Sequence, residues 1–147
     1  MNAMNKKQQL TFYKADFAQY NRILEDDDIK EQIASFLLKY VSLEAFYKKM
    51  LVAMKESNGK KLTTADKKRL SVTVSDVKKT LAYFGITCDE ELIERIFGSN
   101  DKNYKECSIK KLRDRMVHSV NDNVLRTILE RYEDIMADLD ELSRVLR

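Results

Sequence analysis

Apolar residues recur every three or four positions over most of this chain, which is the spacing of amphipathic helices. The first such run predicts a helix over about 6–24, and the acidic residues 26–28 end it and offer carboxylates that can cap the next helix. A second helix is predicted over about 28–57. Its apolar positions cover more than one face, so we expect this helix to lie at the centre of a bundle.

The rest of the chain predicts shorter helices separated by polar breaks. Capping residues and glycine stops indicate three of them. The first spans about 63–70, the second is capped by Ser75 and stops at Gly85, and the third is capped by Thr87 and stops at Gly98. Ser108 is expected to cap the next helix, and a residue of 121–123 to cap a long last helix. We therefore predict an all-α bundle of five or six helices in one domain, residues 1–147. Its first few residues are expected to derive from cloning, given the second methionine at Met4, or to be disordered.

Composition agrees with this fold class and narrows the chemistry. The 147 residues include no proline and three glycines, and 35% of them are charged, a profile typical of helical proteins. No apolar run is long enough to span a membrane and no signal peptide is recognisable, so we expect a cytoplasmic protein without a membrane partner. Cys88 and Cys107 match no metal or redox spacing. With a single histidine, a zinc site is not expected, and no cofactor is predicted.

The distribution of charge is more informative than the net charge of +3. Two basic clusters stand out, and the C-terminal segment is acidic. The first cluster comprises Lys60, Lys61, Lys67, Lys68 and Arg69, and the second comprises Lys102, Lys105, Lys110, Lys111, Arg113 and Arg115. Basic runs are commonly solvated helix faces. The second cluster is the better candidate for binding nucleic acid because it leads into the only histidine, so Lys110, Lys111 and Arg115 are predicted to contact RNA.

The only histidine, His118, follows Arg113 by five residues. An imidazole is the side chain best suited to proton transfer near neutral pH, and a guanidinium can hold a phosphate with several donors. Together they could cleave RNA without a metal, with the RNA 2′-hydroxyl as nucleophile. The alternative interpretation is structural: His118 ends a helix, where a partly positive ring suits the helix dipole, and Arg113 is merely solvated.

Helix geometry constrains the chemical interpretation. Residues five apart on an uninterrupted helix differ by about 140° in direction, so Arg113 and His118 would diverge. A site needs His118 at or beyond the helix end, or a second copy of the motif from another subunit. If both residues act on a substrate, both should lie at the surface, and truncating either should cost little stability.

The segment from Lys111 to His118 resembles the signature of the HEPN superfamily, which is an arginine, usually followed by a polar residue, with a histidine after four to six intervening residues. Arg113, Asp114 and His118 match it with four intervening residues. The resemblance implies a helical bundle, metal-independent endoribonuclease activity and a homodimer with one cleft built from both chains. In that cleft Asp114 would orient Arg113 or a residue of the other subunit. Members modified by a nucleotidyltransferase antitoxin often carry a tyrosine two residues after the histidine, where this chain has Val120.

Three functions remain open at this point. The first is an endoribonuclease of toxin–antitoxin or antiviral defence type, using Arg113, Asp114 and His118 as catalytic residues and kept in check by an antitoxin protein. The second is a non-catalytic helical module that binds a protein partner or a nucleotide. It is favoured if His118 is buried and bonded to a backbone carbonyl. The third is a helical nucleic-acid binder that uses the two basic clusters without cleaving RNA.

Overall fold

The computed structural model describes residues 5–101 and 103–147, except for the side chain of Tyr20. The expectations for the first few residues and for Lys102 concern positions outside these ranges. The described residues form an all-α protein, as predicted. They contain eight helices: α1 (Lys6–Leu24), α2 (Asp27–Ser57), α3 (Thr64–Arg69), α4 (Val74–Tyr83), α5 (Glu90–Phe97), α6 (Ile109–His118), α7 (Asp122–Glu130) and α8 (Tyr132–Arg144).

The starts of the first two helices follow from capping chemistry. The Asn5 side chain accepts a hydrogen bond from the Gln8 backbone N–H at 2.9 Å and so begins α1. The Asp26 carboxylate accepts from the backbone N–H groups of Asp28 and Ile29, at 3.0 and 3.2 Å, and so begins α2. These bonds satisfy amide groups that have no partner within the helix. The predicted spans of 6–24 and 28–57 are confirmed to within one residue.

The predicted number of helices, five or six, is too low for the part of the chain that the structure describes. The expected long last helix is divided at Arg131 into α7 and α8. The Arg131 guanidinium donates to the backbone carbonyls of Tyr104 and Cys107, each at 3.0 Å. These contacts fix Arg131 against the loop before α6, and its backbone (φ −95°, ψ 5°) leaves helical geometry at the junction.

Two predicted caps are also corrected. Thr73, rather than Ser75, caps α4, because its side chain forms reciprocal hydrogen bonds with Asp76. Asp89, rather than Thr87, caps α5 by accepting from the Glu91 backbone N–H at 3.0 Å. Ser108 caps α6, as predicted, and Asn121 caps α7 from within the predicted range.

The second helix lies at the centre of the fold, as its wide apolar surface predicted. It packs against α4, α6, α7 and α8, and α1 also contacts it. Its buried side chains face these neighbours: Ile33, Phe36, Tyr40, Leu43, Tyr47 and Leu51. Because α2 touches α6 directly, a side chain on α2 can reach the segment that carries Arg113 and His118. Across the described ranges, none of the helices combines the length and apolar character that a membrane span requires.

Candidate functional site

The helix that carries the predicted site, α6, is anchored firmly at its N-terminus. The Ser108 hydroxyl donates to the Gly98 carbonyl at 2.7 Å and accepts from the Lys111 backbone N–H at 3.2 Å. Ile109 and Leu112 are both buried in the core. The first turns of α6 are therefore fixed against the end of α5, while its last turn extends to His118 and ends at Ser119.

Arg113 is held by three side chains. Its Nη2 atom lies 3.0 Å from Glu44 Oε2 on α2 and 3.2 Å from Oδ1 of the adjacent Asp114. The Tyr40 hydroxyl donates to the same Glu44 oxygen at 2.7 Å, and the Arg113 guanidinium carbon lies 5.0 Å from the centre of the Tyr40 ring. One charge-assisted hydrogen bond, one ion pair and a cation–π contact thus act on one guanidinium.

The surroundings of the Arg113 guanidinium and of the Tyr40 phenol raise the pKa of both groups. Burial lowers the pKa of Arg113, but the nearby Glu44 charge, Tyr40 and Asp114 outweigh this effect, so its pKa is raised overall. Burial raises the pKa of the Tyr40 phenol, and the adjacent charge of Glu44 raises that pKa further. Arg113 is therefore held as a cation and Tyr40 as a neutral donor.

Arg113 does not lie at the surface as we expected, because its side chain is 20% exposed and that of Glu44 only 14%. Its Nε atom is buried and makes no hydrogen bond with the described residues. The idea that Arg113 is merely solvated is wrong for the same reason. A substrate phosphate could reach only the outer part of this guanidinium, and truncation of Arg113 will cost stability.

His118 has the opposite environment. It is exposed, it is the last residue of α6, and its side chain makes no hydrogen bond or ion pair with the described residues. Arg113 and His118 lie on one continuous helix, so their side chains leave it about 140° apart. Asp114 contacts Arg113. The resemblance implied that Asp114 would orient either Arg113 or a residue of the other subunit, and this contact fits the first of these roles.

The three residues predicted to contact RNA differ in availability. The Lys110 ammonium donates to the Val72 carbonyl at 2.8 Å and to the Ser71 hydroxyl at 3.2 Å. Arg115 donates to the Asp101 carbonyl at 2.7 Å, forms an ion pair with its carboxylate, and lies 4.6 Å from the centre of the Tyr104 ring. The side chain of Lys111 makes no such contact with the described residues, so it is the most available of the three.

Sequence reasoning missed Tyr40 and Glu44, which are the partners of Arg113 on α2. A signal was present, because Glu44 stands between Leu43 and Tyr47 within the apolar stripe of a helix predicted to be central. A carboxylate in such a stripe needs a cation or several donors to offset its burial. That requirement points to an arginine on a neighbouring helix.

The described residues contain no group of three or more His, Cys, Asp or Glu side chains placed to hold a metal ion. Comparisons with protein-family models, with curated proteins and with solved structures found no match to this chain. The resemblance to the HEPN signature therefore depends on Arg113, Asp114 and His118 and on the all-helical fold.

Proposed function

We propose that this protein is a metal-independent endoribonuclease of the HEPN type, acting in the cytoplasm in toxin–antitoxin or antiviral defence. The observation that carries the proposal is the contrast between two side chains on α6. Arg113 is fixed as a cation by Glu44 and Tyr40, whereas His118 is exposed and makes no hydrogen bond with the described residues. A fixed cation and an accessible proton carrier are the two groups that RNA cleavage by its own 2′-hydroxyl requires.

In the proposed reaction the RNA 2′-oxygen attacks the adjacent phosphorus and the bond to the 5′-oxygen breaks. His118 accepts the proton of the 2′-hydroxyl, and the imidazolium so formed donates that proton to the leaving 5′-oxygen. The products are a 2′,3′-cyclic phosphate and a 5′-hydroxyl. The exposed edge of Arg113 stabilises the negative charge that develops on the phosphate oxygens. Glu44, Asp114 and Tyr40 act as positioning residues because they hold that guanidinium.

A homodimer is part of this proposal. The divergence of Arg113 and His118 on one helix is overcome if Arg113 of one chain and His118 of the other approach the same phosphate. The formal charges of Arg113, Glu44 and Asp114 sum to one negative charge, so the phosphate also needs other cations. Lys111 on the same helix, present twice in a dimer, is the available source.

The experiment is a cleavage assay on mixed RNA substrates in EDTA, with detection of cyclic-phosphate ends. His118→Ala should reduce the rate roughly 100- to 10,000-fold, which is the usual contribution of a general acid or base. It should leave the unfolding midpoint unchanged because the side chain is exposed. Arg95→Ala is the control and should keep full activity. Like Arg113, Arg95 is bound to a carboxylate, that of Asp138, but it lies elsewhere in the fold. Full activity in His118→Ala would refute the mechanism.

Mixing two inactive variants tests the shared cleft. His118→Ala and Arg113→Lys each disable one half of the site, and Arg113→Lys keeps the charge beside Glu44. In an equal mixture, random exchange makes half of the dimers mixed, each with one intact site, so about a quarter of wild-type activity should return. No recovery, in a mixture shown by mass spectrometry to have exchanged subunits, would place Arg113 and His118 of each site on one chain.

The packing of Arg113 favours a second candidate, the non-catalytic helical module. Its guanidinium joins α6 to α2 through Glu44 and is mostly covered, which is what a structural cation requires. His118 is not buried and bonded to a carbonyl, as this candidate was expected to show, but its position in the last turn of α6 fits the structural interpretation in which a partly positive ring suits the helix dipole. A wild-type protein that binds a nucleotide in calorimetry, and cleaves none of a broad set of RNAs, would support it over the ribonuclease.

A further inference from the structure

The first helix carries a row of apolar side chains that the rest of the chain does not cover. The row comprises Leu10, Tyr13, Phe17 and Leu24, and in the sequence the apolar residue at position 20 completes a spacing of three, four, three and four residues. The exposed fractions are 54% for Leu10, 63% for Tyr13, 66% for Phe17 and 39% for Leu24. These five positions are called the α1 seam below.

The seam needs a partner because α1 gains little from its own chain. Every described residue from Asn5 to Gln19 is exposed, and only Ile23, near the end of α1, packs against the core. Most helices in proteins are stabilised by packing of an apolar face more than by helix propensity. Along most of α1 that packing has to come from outside the chain.

The spacing of the seam selects another helix as the partner. A strict three-four repeat is the narrow stripe of a coiled coil, in which each seam residue inserts between residues of the facing helix. A helix that lies on a membrane carries a wider apolar face with basic residues along its edges. Here Asp16 borders the seam on one side and Lys14 borders it on the other.

These two edges favour a second copy of α1 and a parallel arrangement. In a parallel pair, the edge of one helix that carries Lys14 faces the edge of the other that carries Asp16, so edges of unlike charge lie side by side. In an antiparallel pair each edge faces its own counterpart, which brings like charges closer. The surface is therefore complementary to itself in the parallel orientation.

The seam itself supplies about half of the area that a standard interface takes from each partner. Taking about 200 Å² for each aromatic side chain and slightly less for leucine, the four described seam side chains expose roughly 400 Å² in each copy. A standard interface takes about 800 Å² from each partner. The stems of Lys14 and the other flanking residues, which a coiled coil also covers, add to this area.

We propose that α1 is a dimerisation helix that pairs in parallel, through the α1 seam, with α1 of a second copy of this chain. This pairing uses a surface separate from the Arg113 and His118 region, and it holds whether or not the protein cleaves RNA. In a ribonuclease dimer the α1 pair and the shared cleft belong to the same two-chain assembly, so loss of the α1 pair weakens that dimer.

The test compares two phenylalanines of nearly equal exposure, Phe17 in the seam at 66% and Phe12 outside it at 59%. Phe12 points about 120° away from the middle of the seam. In sedimentation equilibrium of the full chain, wild type should form a reversible dimer. Phe17→Glu should weaken it about 100-fold or more, since two buried rings are lost per dimer, while Phe12→Glu should leave it within about threefold. Both side chains are exposed, so neither variant should unfold the protein.

Three results would overturn the proposal. The first is a wild-type protein that stays monomeric at about 100 µM, where even a weak specific dimer is populated. This holds also for a monomer that binds anionic lipid vesicles instead. The second is equal weakening by Phe12→Glu and Phe17→Glu, which would indicate a general effect of exposed aromatic residues. The third is failure of Phe17→Cys to cross-link through a short bismaleimide more efficiently than Phe12→Cys, because in a parallel pair the two copies of residue 17 face each other.

Discussion

Removing Glu44 should destabilise the protein because it leaves Arg113 partly buried without its main partner. Glu44 Oε2 accepts from Arg113 at 3.0 Å and from the Tyr40 hydroxyl at 2.7 Å. Breaking a fully buried ion pair on one side costs about 3–5 kcal/mol. The side chains of Arg113 and Glu44 are 20% and 14% exposed, and Asp114 stays near the guanidinium. The expected loss for Glu44→Leu is therefore lower, about 2–4 kcal/mol.

The same reasoning predicts that the double variant is less harmful than the sum of its parts. Arg113→Met alone leaves Glu44 with only the Tyr40 hydroxyl, whereas Arg113→Met combined with Glu44→Leu replaces the pair by two apolar side chains of similar length. Such replacements are often neutral. We expect a coupling energy of about 1–3 kcal/mol between the two positions.

Urea denaturation at pH 7 of wild type, both single variants and the double variant measures this coupling. The control pair is Arg95 and Asp138, which forms two 3.1 Å hydrogen bonds but leaves the Arg95 side chain 51% exposed. Its coupling should be below about 1 kcal/mol because solvent screens it. Additivity at Arg113 and Glu44 within about 0.5 kcal/mol would refute the view that this pair joins α6 to α2.

Two further predictions concern the buried tyrosines of α2. The Tyr47 hydroxyl is buried without a hydrogen-bond partner among the described residues. Tyr47→Phe should therefore be neutral or stabilising by about 1 kcal/mol in thermal or urea unfolding. A loss of more than about 1 kcal/mol of unfolding free energy would indicate a hidden partner. Burial raises the pKa of Tyr40 and Tyr47 above the value of about 10 that holds in the unfolded chain. Above pH 10 the unfolded state therefore releases protons that the folded state keeps, so stability falls as pH rises. The free energy of unfolding should decline less steeply with pH in Tyr40→Phe than in wild type. Equal slopes of this free energy against pH would contradict the raised pKa of Tyr40.

The sequence predicted α1 and α2 well because local chemistry defines both helices. The apolar repeat has the helical period and Asp26 is placed to cap α2, so no distant contact is needed to set this boundary. The caps of α4 and α5 were harder to predict because several residues that can cap a helix stand next to one another. Thr73 and Ser75 compete within three residues, and tertiary packing of Val72 and Val77 in the core favours Thr73.

The division of the last helix and the surroundings of Arg113 could not be predicted in the same way. Arg131 interrupts the helix without a glycine or proline, through bonds to carbonyls more than twenty residues away. Glu44 and Arg113 are separated by 69 residues, and only the fold shows that they meet. Local patterns determine where helices begin and end far better than they determine which charged residues pair across them.

The surroundings of Arg113 separate two roles that the motif alone combines. A guanidinium fixed by Glu44, Asp114 and Tyr40 loses little entropy when it binds a phosphate, because its position is already set. The same two carboxylates also reduce the positive potential that attracts the phosphate. If the protein cleaves RNA, Glu44→Gln should therefore lower two parameters for different reasons: KM should fall because one negative charge is removed, and kcat should fall because Arg113 is held less firmly. A purely structural Glu44 would lower the apparent kcat by the fraction of unfolded protein and leave KM unchanged, and steady-state kinetics below the unfolding transition distinguish these outcomes.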